Sequence, residues 1–216
     1  MKDLPLPPTE KRKQYELRAL GLREFAGLRE SQPLDPFALA RFAKLMVVDF
    51  DQVKGLSPES RAHLLGTAVE EWSGGACSQP LPNGWRIVIL NPAHGIHRNR
   101  ATLMEEIAHV FLGHKPNRLA MISDENGGEP SEAGGNSREK MAARDYNKSD
   151  EEAAYAVGAA ALVPYETLRR MVLEGRSADE IGRRFRVSRQ LAEYRIKVTH
   201  LWAEYKSASA ARINNV

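Results

Sequence analysis

Residues 105–109 read Glu-Glu-Ile-Ala-His, and their types and spacing suit a cation held on a helix. Positions i and i+4 share one helix face, so Glu105 and His109 can grip the same ion. Glu106 lies about 100° round the helix. In helices that read H-E-x-x-H, the two histidines hold zinc and the intervening Glu takes a proton from the water at the metal. Here Glu105 stands in place of the first His. Zinc accepts carboxylate oxygen as well as imidazole nitrogen, so this exchange is chemically permitted. A second carboxylate adds negative charge, however, and makes the water harder to ionise. The other reading of the same residues is an amphipathic helix with two acids and a histidine satisfied in the core. His114 comes five residues after His109, about 140° round the helix. It reads as a C-terminal imidazole that favours the helix dipole.

A third ligand must come from another element, and the best source is the helix that opens near Asp150. Ser149-Asp-Glu-Glu152 has the form of an S-x-x-E capping box. With Ser149 as N-cap, Glu152 is engaged at the cap and Glu151 is freer to face a metal. The stretch 153–161 is almost all small, which lets two helices come close. Acids in a first turn also simply suit the dipole, so the residues alone leave this role open. His94 and His97 read as exposed loop histidines rather than spare ligands. Tyr146 and Tyr155 could donate to a developing oxyanion, although Tyr155 reads as packing. Cys77 reads as an inert residue of a strand.

These side chains need elements to carry them. Residues 9–30 predict a weakly amphipathic, peripheral helix. Asp35-Pro36 opens a helix expected to reach Met46, and Ser57-Pro58 opens another expected to reach about Glu71. After a turn at 72–75, Asn83-Gly84 signals a hairpin, and 85–90 is a strand ended by Asn91-Pro92. The motif helix is expected from about Asn99 to His114, stopped by Lys115-Pro116. Residues 121–148, with two Gly-Gly pairs, predict a mobile surface loop. The Ala-rich helix then ends at Val163-Pro164. Ser177-Ala-Asp-Glu180 is a second capping box, for a short helix to Phe185, and Val187-Ser188 starts a last helix through about Tyr205.

The apolar fraction of 42% is enough for a real core. The single cysteine excludes an internal disulfide and fits a reducing compartment. No run of 18 apolar residues and no leader-like stretch after Met1 is present, so the expectation is a cytoplasmic protein with no membrane partner. From Glu166 onward the chain carries eleven Lys/Arg against six Asp/Glu. A basic C-terminal part permits nucleic-acid contact without requiring it.

Taken in order, several segments resemble the ImmA/IrrE family of metallopeptidases. They are Trp72-Ser-Gly, Leu90-Asn91-Pro92, Arg100-Ala-Thr-Leu-Met-Glu-Glu-Ile-Ala-His109, the Glu151 helix ending in Ala-Leu-Val-Pro164, and Ala178-Asp-Glu-Ile-Gly-Arg-Arg-Phe-Arg-Val-Ser188. The family typically reads R-x-T-L-A-H-E-x-G-H, then E-x-E-A-x-x-x-A-x-x-L-L-x-P, then a segment like I-A-x-x-F-x-V-S. The resemblance spans about residues 37–200. It implies a helix-rich α+β fold: a zincin-like minimal core with a small β-sheet on the motif helix and a C-terminal helix-turn-helix-like pair. The implied organisation is an N-terminal extension at 1–34, a metallopeptidase domain at 35–206 and a tail at 207–216. By the same resemblance His109 is the second His ligand, Glu106 the base and Glu151 the downstream acid, around Zn2+. Glu105 occupies the first ligand position and departs from the family there. Ala153 stands where the family has a further acid, and a register slip of one would make Glu152 the ligand. The implied activity is cleavage of a regulator, characteristically a helix-turn-helix repressor, in control of transcription under stress.

The segments 177–185 and 188–198, joined by Arg186-Val187, have helix-turn-helix spacing. Arg183, Arg184, Arg186, Arg189, Arg195 and Lys197 cluster there. One reading is DNA binding through the second helix. The other is a helix pair integral to the peptidase fold, and it is preferred, because only Ser188, Arg189 and Gln190 are base-reading types at the helix start.

Overall fold

A three-stranded sheet and the helix laid on it fix the Glu-Glu-Ile-Ala-His stretch in space. The computed structural model describes residues 5–29, 31–77, 79–114 and 147–213. The expected loop at 121–148, apart from its last two residues, and Tyr146 lie outside the described residues. The strands are β1 (Leu45–Val48), β2 (Gly74–Ala76) and β3 (Arg86–Leu90), in the order β1-β3-β2. β1 runs parallel to β3, pairing Leu45 with Arg86, and β2 runs antiparallel, pairing Ala76 with Val88. The helices are α1 (Glu10–Phe25), α2 (Pro36–Ala40), α3 (Pro58–Leu65), α4 (Ile96–Phe111), α5 (Lys148–Leu162), α6 (Tyr165–Leu173), α7 (Ala178–Phe185), α8 (Arg189–Val198) and α9 (Trp202–Ile213). The fold is the helix-rich α+β class that the sequence implied. No helix among the described residues is long and apolar enough to cross a membrane.

Helix α5 is the central post. Ala153, Ala154 and every residue from Ala156 to Leu162 are buried, with α1 on one side and α4 on the other. Its small residues let α4 come very close. A Cβ placed on Gly158 would stand 3.2 Å from the Met104 carbonyl oxygen, so only a hydrogen fits there comfortably. Apolar side chains of α4 (Leu103, Met104, Ile107) complete this core together with Val88 and Leu90 of the sheet.

Helix α1 is not peripheral. Glu16 and Arg23 are both buried. Arg23 donates to the Ala161 carbonyl at the end of α5. Glu16 binds Arg195 of α8 at 2.6 Å and accepts the Tyr165 N–H at 2.6 Å, so it caps α6 from a distance. That remote cap explains why α6 is not foreseen: Pro164 at its N-cap supplies no side-chain acceptor of its own.

Three expected helices are shorter than predicted. The one opening at Asp35 stops at Ala40; Lys44 takes φ 54° and the chain enters β1. The Ser57 helix stops at Leu65 before Gly66. The last helix breaks at Thr199–His200, where His200 has φ 61°, and α9 resumes at Trp202 and runs past residue 206. The Ser177/Glu180 capping box forms as predicted. The Ser149/Glu152 box does not, because Asn147 is the N-cap and accepts the Ser149 N–H at 3.0 Å.

Candidate metal centre

Helix α4 presents Glu105 and His109 on one face toward the first turn of α5, which brings Glu151. One ligand-capable atom from each of these three residues lies within 4.8 Å of the others. His109 Nε2 is 3.7 Å from Glu151 Oε2. All three side chains are only partly accessible. Glu152, one residue on, faces the other way and pairs with Lys11 of α1 at 2.7 Å. The acid that joins Glu105 and His109 is therefore Glu151.

The electrostatics are unbalanced. Burial, then Glu106 and Glu151, push the Glu105 carboxyl up to about 8. Burial and Glu151 push Glu106 up to about 7, against a backbone hydrogen bond at Ala76 that works in the opposite direction. His109 is shifted down, chiefly by burial, with Glu151 opposing. Three acidic side chains thus crowd one imidazole. Clusters of this kind mark sites that hold cations or move protons. The donor set of two carboxylate oxygens and one imidazole nitrogen fits zinc as a three-ligand site with a position left for a further ligand.

The remaining candidates fall into place around this group. His94 is not an exposed loop residue: it is 8% accessible, under the start of α4, with Nε2 3.5 Å from Asn91 Nδ2. His97 is exposed and its Nδ1 lies 3.0 Å from the Arg186 carbonyl. Arg100 donates to that same carbonyl, to Asp35 and to Leu34, so it ties the motif helix to α2 and to the α7–α8 turn. Tyr155, one turn beyond Glu151, is half exposed and stacks edge-on with Tyr194. Its hydroxyl is pushed up to about 12, by burial first and Tyr194 and Glu105 after, so it stays a donor at neutral pH. Burial also raises the Cys77 thiol, as an inert cysteine requires. Of the residues read as a recognition surface, Arg195 is buried in its pair with Glu16, whereas Arg183, Arg184, Arg186 and Arg189 are exposed.

His114 is placed differently from the expectation. Helix α4 is stopped by Gly113, at φ 71°, rather than by the proline beyond it. The turn folds His114 back so that its Nδ1 lies 3.1 Å from Nδ1 of His109. A glycine directly before the histidine is the sequence signal that could have revealed this.

A small sheet lies against a helix that carries Glu105, Glu106 and His109, and an adjoining helix delivers Glu151, so the arrangement is one that could hold a metal ion. The family model of the IrrE N-terminal-like domain, Peptidase_M78, matches residues 75–197, more than half of the chain, and the protein belongs to that family. Comparisons with curated proteins and with solved structures give no match. The matched stretch begins inside β2, so α1, α2 and β1 lie upstream of it although they pack into the same core.

Proposed function

We propose that this protein is a zinc-dependent endopeptidase of the ImmA/IrrE type that cuts a regulatory protein, a helix-turn-helix repressor being the expected substrate. The convergence of Glu105, His109 and Glu151 within 4.8 Å carries the reading. These three residues would hold the cation. A bound zinc supplies Lewis acidity, which polarises water and the scissile carbonyl. Glu106, the residue after Glu105 on α4, is the proton acceptor, taking a proton and passing it to the leaving amine. Tyr155 keeps its proton and offers a hydroxyl on the same side of α5 as Glu151. Strand β2 is an edge of the sheet beside Glu106, a position that favours an extended peptide as substrate.

Metal analysis of untagged protein tests the first half of this reading, with about one zinc per chain expected. His109→Ala should abolish uptake, and added zinc should raise the melting temperature of wild type but not of this variant. Equal shifts in both would remove the site from consideration. Glu106→Gln tests the chemistry. It should keep its zinc and lose about 10²–10⁴ in cleavage rate, measured on a candidate repressor. A second reading makes the chain a non-catalytic regulator that binds a protein or DNA. The exposed Arg183, Arg184, Arg186 and Arg189 favour it, and a metal-free, fully folded wild type would select it.

A further inference from the structure

His114 lies outside the cluster of Glu105, His109 and Glu151, yet the end of α4 is built to bring it back. The His114 N–H donates to the His109 carbonyl at 3.0 Å and the Gly113 N–H to the Val110 carbonyl at 3.1 Å. These are the two hydrogen bonds of a Schellman turn, which reverses the chain at a left-handed glycine. The His114 ring then meets the His109 ring edge-on, with centroids 5.2 Å apart. The contact is polar: the two Nδ1 atoms are 3.1 Å apart, so one ring donates and the other accepts. On its far side, His114 Nε2 is 3.7 Å from the Asp150 carboxylate.

The charges select one arrangement of protons. The Asp150 carboxylate favours N–H on Nε2 of His114, which leaves His114 Nδ1 as an acceptor. That acceptor draws N–H onto Nδ1 of His109. Nε2 of His109, the nitrogen facing Glu151, is then a bare lone pair, which is the form a metal ligand must take. Left to itself, a neutral imidazole prefers its proton on Nε2, where it would block the site.

We propose that His114, backed by Asp150, is a positioning residue that fixes the tautomer and orientation of His109 and so sets the affinity of the site for a divalent cation. The proposal rests on the cation-binding reading above, and its test separates the two. Zinc affinity of the full-length chain is measured by chelator competition for wild type, His114→Ala and His114→Asn. The imidazole 15N shifts of His109 are measured on zinc-free wild type and His114→Ala.

His114→Ala should weaken zinc about 10–100-fold, the usual cost of losing a group that orients a metal-ligating histidine. His114→Asn, whose side-chain oxygen can accept from His109 Nδ1, should recover most of that affinity. In zinc-free wild type His109 should carry its proton on Nδ1, and in His114→Ala that form should be lost. The zinc-free variants should melt with wild type, which separates positioning from general destabilisation. Unchanged zinc affinity in His114→Ala overturns the proposal, as does a wild-type His109 protonated on Nε2. If wild type takes up no zinc, the functional reading fails, and the His109 tautomer still decides: no change on His114→Ala overturns the positioning role, and loss of the Nδ1–H form supports it.

Discussion

Neutralising Glu105 should change how the stability of the zinc-free protein depends on pH. The folded-state carboxyl is raised from 4.5 to about 8. A raised acid keeps its proton in the fold after the unfolded chain has released its own. The folded state therefore binds more protons between those values, and stability falls as pH rises through that window. At about 1.36 kcal/mol per pKa unit, the full shift sets a ceiling of about 5 kcal/mol. Glu106 beside it is raised as well and contributes to the Glu105 shift, so roughly half of that, about 2–3 kcal/mol, is the expected difference. Glu105→Gln removes the titrating group and keeps the shape. It should leave stability at pH 5 nearly unchanged and raise it by about 2–3 kcal/mol at pH 8, measured by urea unfolding in the presence of a chelator. Zinc should reverse the sign for wild type, stabilising it more at pH 8 than at pH 5, because a cation favours the ionised acids. A Glu105→Gln protein that differs from wild type by the same amount at pH 5 and pH 8 would refute the crowded-carboxylate argument.

Two packing predictions test what positions the centre. Gly158→Val puts branched carbon where even a Cβ stands 3.2 Å from the Met104 carbonyl; it should cost about 1–3 kcal/mol by overpacking and weaken zinc by spreading α4 from α5, both read from zinc-dependent melting curves. Arg195→Met leaves Glu16 buried without its cation and should cost about 3–5 kcal/mol in urea unfolding; the added substitution Glu16→Gln should recover part of that loss, because the amide oxygen can still accept the Tyr165 N–H.

What could be read from the sequence follows the range of the interactions involved. Glu105 and His109 share a helix face by local geometry alone, and the Ser177/Glu180 box is a four-residue signal that formed as written. Strand β1 was illegible because its partner is β3, some forty residues along the chain, and Leu45–Val48 taken alone extends the helix before it. Glu151 lies beside Glu105 and His109 for a different reason from the one the residues suggested. The residues suggested that a capping box engages Glu152, but the cap is Asn147, and it is Lys11, from a helix near the chain start, that draws Glu152 away. No local rule contains that ion pair. Nor could helical geometry place His114, since the helix ends at Gly113 and the 140° offset ceases to apply.

The plainest alternative for the opening stretch is an ordinary helix whose histidine is satisfied in the core, and the surroundings of His109 argue against it. A core histidine would bury its ring among apolar groups with a backbone carbonyl for each proton. His109 instead has Glu151 at one nitrogen and a second histidine at the other. Two of its neighbours, Glu105 and Glu106, carry carboxyls that the fold holds far above their usual range. Burying such groups without a counter-charge costs stability, and α5 tightens the crowding by approaching so closely at Gly158. A divalent ion bound at this point would offset the repulsion, ionise the acids and complete the charge balance in one step. On the proposed reading, Glu105 gives the site negative charge where the resemblance implies a neutral imidazole, and a bound cation would be met by more charge and its water would be less acidic.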